Sequence, residues 1–318
     1  MIAAFLLASM IDNQSQAFTL NPITSRCCTA LQSTAAAAAA AVAVTEIQFT
    51  SLPTQVYIED TDAYGIVYMP NYVRAYERAL HGFGASGASE LLSKQDWSIV
   101  QVDKQRFKKA FALGESFIVT GTRRSHSSVQ EVWVMEMTNP VGVVCNSAIV
   151  TIASELPSPP PLNCDRALPP IEFDLVLYRD EFDINLPGRI PLRNVMRPFE
   201  HARSNGLLGG PGLLKRLQDE DGIIFIVTSI DEVALIQNDA AACRPGEPVT
   251  VTTAVQFRSR GMTRFLHTLW SKDDAGVPQR MAQAVVVLMT LDKNTKKAIS
   301  VLPDWLYDRL SGVLPEKK

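Results

Sequence analysis

Six residues near the start of the folded part of the chain, Asp60-Thr61-Asp62-Ala63-Tyr64-Gly65, combine two carboxylates with a turn glycine. A carboxylate can attack a carbonyl carbon or take a proton from the water that does. Pro70, suited to a first helical turn, follows closely, so the turn feeds a helix whose N-terminal N–H groups can hold an oxyanion. Asp62 and backbone donors near Gly65 are therefore the catalytic candidates. Asp60 and Asp62 can also simply shape the turn through local hydrogen bonds. Glu77 falls mid-helix, where a structural ion pair is the ordinary role, and Tyr68 reads first as a packing residue.

The elements that must position these groups are legible in outline. Tyr72, Tyr76, Ala79, Leu80 and Phe83 form one apolar stripe at helical spacing, and Gly82 and Gly84 mark the helix end. Segments 98–110, 116–124, 128–137 and 143–152 are rich in β-formers. A proline-rich stretch, 154–170, cannot be a helix or a central strand and reads as a linker. Beyond it the pattern repeats. Tyr57 and Asp62 fall on Tyr178 and Asp183 at an offset of 121, and Asn71, Arg74, Tyr76 and Glu77 fall on Asn194, Arg197, Phe199 and Glu200 at 123. Gly114-Glu115 falls on Gly246-Glu247 at 132. The second helix lies between Pro191 and Asn205 with Gly206 as its stop, and Pro198 must kink it or sit in its first turn. Segments 223–233, 249–257, 265–271 and 281–291 supply its strands. The expected class is α+β: an antiparallel sheet packed on one long helix, twice, with open edges that can pair into one continuous sheet. The expected organisation is a leader (1–45), a first unit (46–153), the linker (154–170) and a diverged second unit (171–318).

Tyr57 to Tyr72, followed by Tyr76-Glu77-Arg78-Ala79, resembles the signature of the hotdog-fold 4-hydroxybenzoyl-CoA thioesterase family and its acyl-CoA thioesterase relatives. Phe199-Glu200-His201-Ala202-Arg203 resembles the helix part of the same signature. The whole resembles a tandem double hotdog, in which one chain supplies both halves of the usual dimer. The resemblance implies a thioesterase that takes an acyl-CoA or acyl-carrier-protein (ACP) thioester to free acid and thiol, with Asp62 as the catalytic carboxylate and no cofactor. Many acyl-CoA relatives carry a His where Met69 stands; the branch resembling 4-hydroxybenzoyl-CoA thioesterase lacks it too. In the second unit Asp183 is kept, but the residues after it change, so that unit reads as a wall of the site. A CoA or phosphopantetheine arm needs cations for its phosphates, and Arg123, Arg124, Arg258, Arg260 and Arg264 are the candidates. The alternative is an acyl-thioester-binding or assembly protein without turnover. A hotdog dehydratase is disfavoured because no His-containing segment of its type is found.

The bulk numbers exclude other classes. A net charge of −3 over 318 residues gives no basic excess for nucleic acid. Five scattered cysteines and four histidines show no metal-ligand or disulfide spacing, and a reducing compartment fits best. Residues 2–11 are apolar except for Ser9, but too short to span a bilayer. They are followed by Ser15-Gln16-Ala17, a small-x-small box, and then by an acid-free, Ser/Thr/Ala-rich stretch to Thr45. This order, with Phe18 after the box, resembles the bipartite presequence of algae with secondary plastids. A plastid is therefore expected, with the cytoplasm or mitochondrion as alternatives. A homo-oligomer of double hotdogs is compatible with the open sheet edges.

Overall fold

The computed structural model describes residues 47–62, 65–94, 96–182, 190–207, 209–236, 243–258, 261–299 and 302–310. The leader therefore lies outside the described residues. The first half contains strands β1 (Gln48–Thr50) and β2 (Thr54–Gln55), helices α1 (Met69–Gly84) and α2 (Glu90–Ser93), and strands β3 (Ser98–Phe107), β4 (Ser116–His126), β5 (Gln130–Thr138) and β6 (Val144–Ala153). The second half contains β7 (Ile171–Val176), α3 (Leu192–His201), α4 (Pro211–Asp219), β8 (Ile223–Leu235), β9 (Pro248–Arg258), β10 (Met262–Lys272), β11 (Pro278–Asp292) and α5 (Asp304–Leu310).

The eleven strands among the described residues join one sheet, in the order β1-β4-β5-β6-β3-β8-β11-β10-β9-β7, with β2 paired to β4. Read outward from the middle, the two halves have the same order: β3-β6-β5-β4-β1 and β8-β11-β10-β9-β7. The seam is the antiparallel pair β3–β8, running from Gln101 opposite Ala234 to Arg106 opposite Ser229. The open edges anticipated from sequence thus pair with each other. Arg106 and Arg264 both reach Asp231, at 3.1 and 3.4 Å, which ties strands of both halves together at the seam.

Each half wraps its sheet around one helix. On α1 the buried side chains include Tyr72, Val73, Tyr76 and Leu80, which share one face. Gly84 closes α1 where a Cβ would meet the Leu92 carbonyl at 2.5 Å, so α2 can pack directly on its end. The second helix departs from expectation at its end. Pro198 sits in its second turn, where the missing N–H leaves the Asn194 carbonyl without its helical donor. The chain then widens into a π-turn over Ala202–Leu207, so Gly206 does not stop the helix. Gly206 has a packing reason instead: a Cβ there would come within 2.9 Å of the Phe173 ring on β7. The short helices α2, α4 and α5 were not expected. The first two have too few turns to show a period, and the third follows the last strand beyond the repeat.

The proline-rich connection runs from β6 to β7, six inter-strand spacings away in the sheet order, or about 29 Å at about 4.8 Å each. It crosses the back of the second half. Leu162 and Ala167 pack on Ala254, Leu266 and Val285. Arg280 donates to the Pro159 carbonyl at 2.7 Å, and the Leu168 N–H to the Val255 carbonyl at 2.7 Å. Proline keeps this segment extended and out of the ladder while it covers an apolar face.

Candidate functional site

The acidic turn is staked at both ends. The Asp60 carboxylate accepts the Tyr57 N–H at 3.1 Å. Its carbonyl accepts the Tyr68 N–H at 2.8 Å and the Asn71 side-chain amide at 3.0 Å. The second half repeats this arrangement. The Glu181 carboxylate accepts the Tyr178 N–H at 2.8 Å, and its carbonyl accepts the Asn194 amide at 2.8 Å. Asp60 therefore corresponds to Glu181, not to Asp180. In both halves this acid shapes the entry to the helix, the architectural role open to Asp60 from the start.

Asp62 lies half-buried inside the staked turn. Its N–H bonds the Ile66 carbonyl at 2.9 Å, and the Ile66 N–H approaches its carboxylate at 3.5 Å. Gly65 has φ +72°, a conformation that favours glycine. Its N–H is committed to the Asp62 carbonyl at 3.0 Å, and its carbonyl accepts the Leu113 N–H at 3.0 Å. The N–H groups of Val67 and Tyr68 are likewise used, by Phe111 and Asp60. The N–H groups of Gly65, Val67 and Tyr68 are thus spent on closing the turn rather than offered to a bound oxyanion. The next N–H along the chain, that of Met69, opens α1 and is one of the orphan donors of a helix start.

The turn also faces the second half. The Tyr68 hydroxyl donates to the Glu200 carboxylate on α3. Burial, and then Glu200 itself, raises the Tyr68 phenol well above its ordinary pKa, so it stays a protonated donor. Farther along the pair, Arg193 at the start of α3 holds Glu77. The helices thus run antiparallel, each glutamate reaching the first turn of its partner. Glu77 and Glu200 are repeat equivalents used in equivalent ways. The resemblance already contained Glu200, but only the fold brings it to Tyr68.

On the other side of the turn is a small, partly enclosed cleft of about 10 Å³, roughly the room of one water molecule. Val67, Tyr72, Phe111, Phe117 and Met137 form its apolar floor, with Asp60, Asn71 and Arg78 among its lining. Arg78 is exposed and was not among the expected phosphate ligands, because its position on the outer side of α1 depends on the fold. The expected arginines fare differently. Arg123 is engaged in the interior by Glu131 at 3.0 Å, and Glu131 also accepts the Ser89 hydroxyl and the Trp133 indole N–H. Arg124 is exposed on β4. Arg264 bonds Gln256 at 3.1 Å besides Asp231. The side chain of Arg258, and Arg260 and Asp183 entirely, lie outside the described residues. The turn, Tyr68 and Glu200 come together; Arg123 and Arg264 belong to structural pairs elsewhere.

No group of three His, Cys, Asp or Glu suited to a metal occurs among the described residues. No helix among them is long and apolar enough to cross a membrane. No family model matches the sequence, and no curated protein matches it. Solved structures do. The chain is similar to a putative oleoyl thioesterase from Lactobacillus plantarum, at 8% identity and TM-score 0.56, over 77% of this chain and 97% of that one. It is similar to an acyl-ACP thioesterase from Bacteroides thetaiotaomicron, at 12% identity and TM-score 0.53, over 76% and 97%. It is similar to a 12:0-ACP thioesterase from Umbellularia californica, at 9% identity and TM-score 0.50, over 75% and 93%. At such identities the likeness is one of fold, and with the mirrored strand order on either side of β3–β8 it makes this chain a tandem double hotdog.

Proposed function

We propose that the protein is a thioesterase that hydrolyses an acyl-CoA or acyl-ACP thioester. The observation that carries this reading is the half-buried Asp62, held in a turn staked by Asp60 and placed just before the start of α1. The structural neighbours support it, since those of matching fold are described as acyl-ACP or oleoyl thioesterases.

The chemistry needs few groups. Asp62 attacks the thioester carbonyl or takes a proton from the attacking water. The Met69 N–H, at the positive end of the α1 dipole, holds the oxyanion. The intermediate collapses by expelling a thiolate whose conjugate acid has a pKa of roughly 8.5, so no strong general acid is required. The cleft beside Asp60 marks the side on which the pantetheine arm lies, with Arg78 at hand for phosphate, and the acyl group points toward Tyr68 and Glu200. Asp62 and the Met69 N–H then act without the side chain of residue 69.

A second reading, an acyl-binding protein without turnover, is favoured by Met69 standing where many relatives carry His. A panel of acyl-CoA and acyl-ACP substrates with a thiol-detecting reagent separates the two. Release of free thiol at a rate proportional to enzyme supports the enzyme. Saturable acyl-thioester binding with no thiol release across the panel sinks it. For the leader, a plastid destination is part of the same proposal. Residues 1–45 fused to a fluorescent reporter should send it to the plastid, and a cytosolic signal would refute that.

A further inference from the structure

The two halves provide an internal control on what the fold itself requires. The helix offset of 123 places Arg203 on Leu80 (203 − 80 = 123). The strand offset of 132 places Phe265 on Trp133, His267 on Met135 and Thr253 on Gly121. The registers agree, because Gly121 pairs with Met135 across β4–β5 as Thr253 pairs with His267 across β9–β10. In the first half this place is apolar. Leu80, Trp133 and Met135 are fully buried, and the Phe49 ring lies over Gly121 so closely that a Cβ there would come within 2.3 Å.

In the second half the same place is polar and just as deep. Arg203 is 4% exposed and His267 0%. The guanidinium carbon lies 5.9 Å from the Phe265 ring centroid. His267 stacks against Phe199 at 5.2 Å and Phe265 at 6.1 Å, and its Nδ1 shares a 2.9 Å hydrogen bond with the Thr253 hydroxyl. Arg203 Nη1 and His267 Nε2 are both buried without a hydrogen-bond partner. The Glu200 charge acts on Arg203 through space. Glu200, one turn earlier, is occupied by the Tyr68 hydroxyl.

A buried guanidinium with an unmet N–H donor is costly even with the Glu200 charge near, and the first half shows that the fold is satisfied by leucine at this point. Burial, and then the Arg203 charge, holds His267 well below the ordinary imidazole range, so the ring is neutral. In the tautomer in which the Thr253 hydroxyl donates to Nδ1, the Nε2 carries the proton and is a second donor. An unpartnered guanidinium donor and an unpartnered imidazole nitrogen in one aromatic-lined place suit an anion. The direction also fits. Tyr68 at the start of α1 meets Glu200, and α3 runs antiparallel, so Arg203 lies past the start of α1, on the side of the acidic turn. It belongs to the π-turn, an irregularity frequent at functional sites.

We propose that Arg203, with His267, binds a carboxylate at the far end of the acyl group, so that the preferred substrates are thioesters of dicarboxylic acids. This rests on the thioesterase reading for its substrate and deepens it. The test begins with free acids, amides and the full chain, and needs no turnover. Calorimetric titration of succinate, glutarate and adipate is compared with butyramide, pentanamide and hexanamide, uncharged chains of matching length. The dicarboxylates should bind at least about 10-fold more tightly. R203M should erase that preference, and R203K should keep part of it. If neither variant folds, the wild-type comparison decides alone. Equal binding of the two series, as expected if the place holds only an ordered water, overturns the proposal. The thioester panel then separates the two claims. Dicarboxylate preference without thiol release removes the thioesterase reading and leaves the anion site standing. Thiol release without preference for glutaryl-CoA over pentanoyl-CoA removes the dicarboxylate proposal and leaves the thioesterase.

Discussion

Asp62→Asn should lower kcat on the best substrate of the panel by at least about 100-fold, with KM changed little. The amide is nearly isosteric and can still accept the Ile66 N–H, so the turn keeps its shape. What it loses is the charge that attacks the carbonyl or takes the proton of water. The neighbouring carboxylate is the control. Asp60→Asn touches the Tyr57 N–H cap while leaving the carbonyl that holds Tyr68 and Asn71, so it should act mainly on stability, by about 1 kcal/mol. Single-turnover thiol release for both variants, with thermal melts alongside, reads the two effects apart. Equal loss of rate in both variants, tracking their stability, would mean that Asp62 only shapes the turn.

Glu131→Ala should cost about 3–5 kcal/mol, the largest stability effect expected of any polar substitution in this chain. Glu131 is 2% exposed and accepts three donors, from Ser89, Arg123 and Trp133. Removing it strands the Arg123 guanidinium and the indole N–H in the interior at the same time. Arg123→Met should cost less: it leaves the Glu131 charge without its counter-ion, but the carboxylate keeps two neutral donors and can take up a proton. Urea denaturation of both variants checks the order. If Arg123→Met instead left stability unchanged and raised KM for CoA thioesters, Arg123 would be the phosphate ligand that its residue type first suggested.

The parts of the fold that sequence made legible were those with a period or a fixed spacing. The α1 stripe and the alternation in β9 are read directly, because burial of one face dictates them. The repeat offsets were readable at Asn71 and Asn194, whose side chains perform the same task in each half. Where types competed with spacing, type misled. Asp180 looks like the partner of Asp60, yet Glu181 stands at the right distance from Tyr178 to cap its N–H, and the longer side chain still reaches. Gly206 looks like a helix stop, but it is a contact with Phe173 that no local pattern encodes. Arg78, Glu200 and Arg203 could not be assigned roles from sequence for a shared reason. Each acts across elements that lie far apart in the chain, and only the packing of α1, α3 and the strands decides what it faces. Arginines near strand ends had the converse problem: charge marks them as available, whereas Glu131 and Asp231 had already claimed Arg123 and Arg264.

The β3–β8 seam has a consequence for how such a protein can change. In an assembly of two identical chains every substitution enters twice, once on each side of the symmetry axis. An arginine in the core would then be buried in both halves, and its desolvation would be borne twice over. Here the seam is made by one polypeptide, and its halves answer to separate codons. One half can keep Leu80 and Met135 as dry packing while the other trades them for Arg203 and His267. Fusion lets one half carry the stability and the other explore, and an inherited symmetry becomes a division of labour.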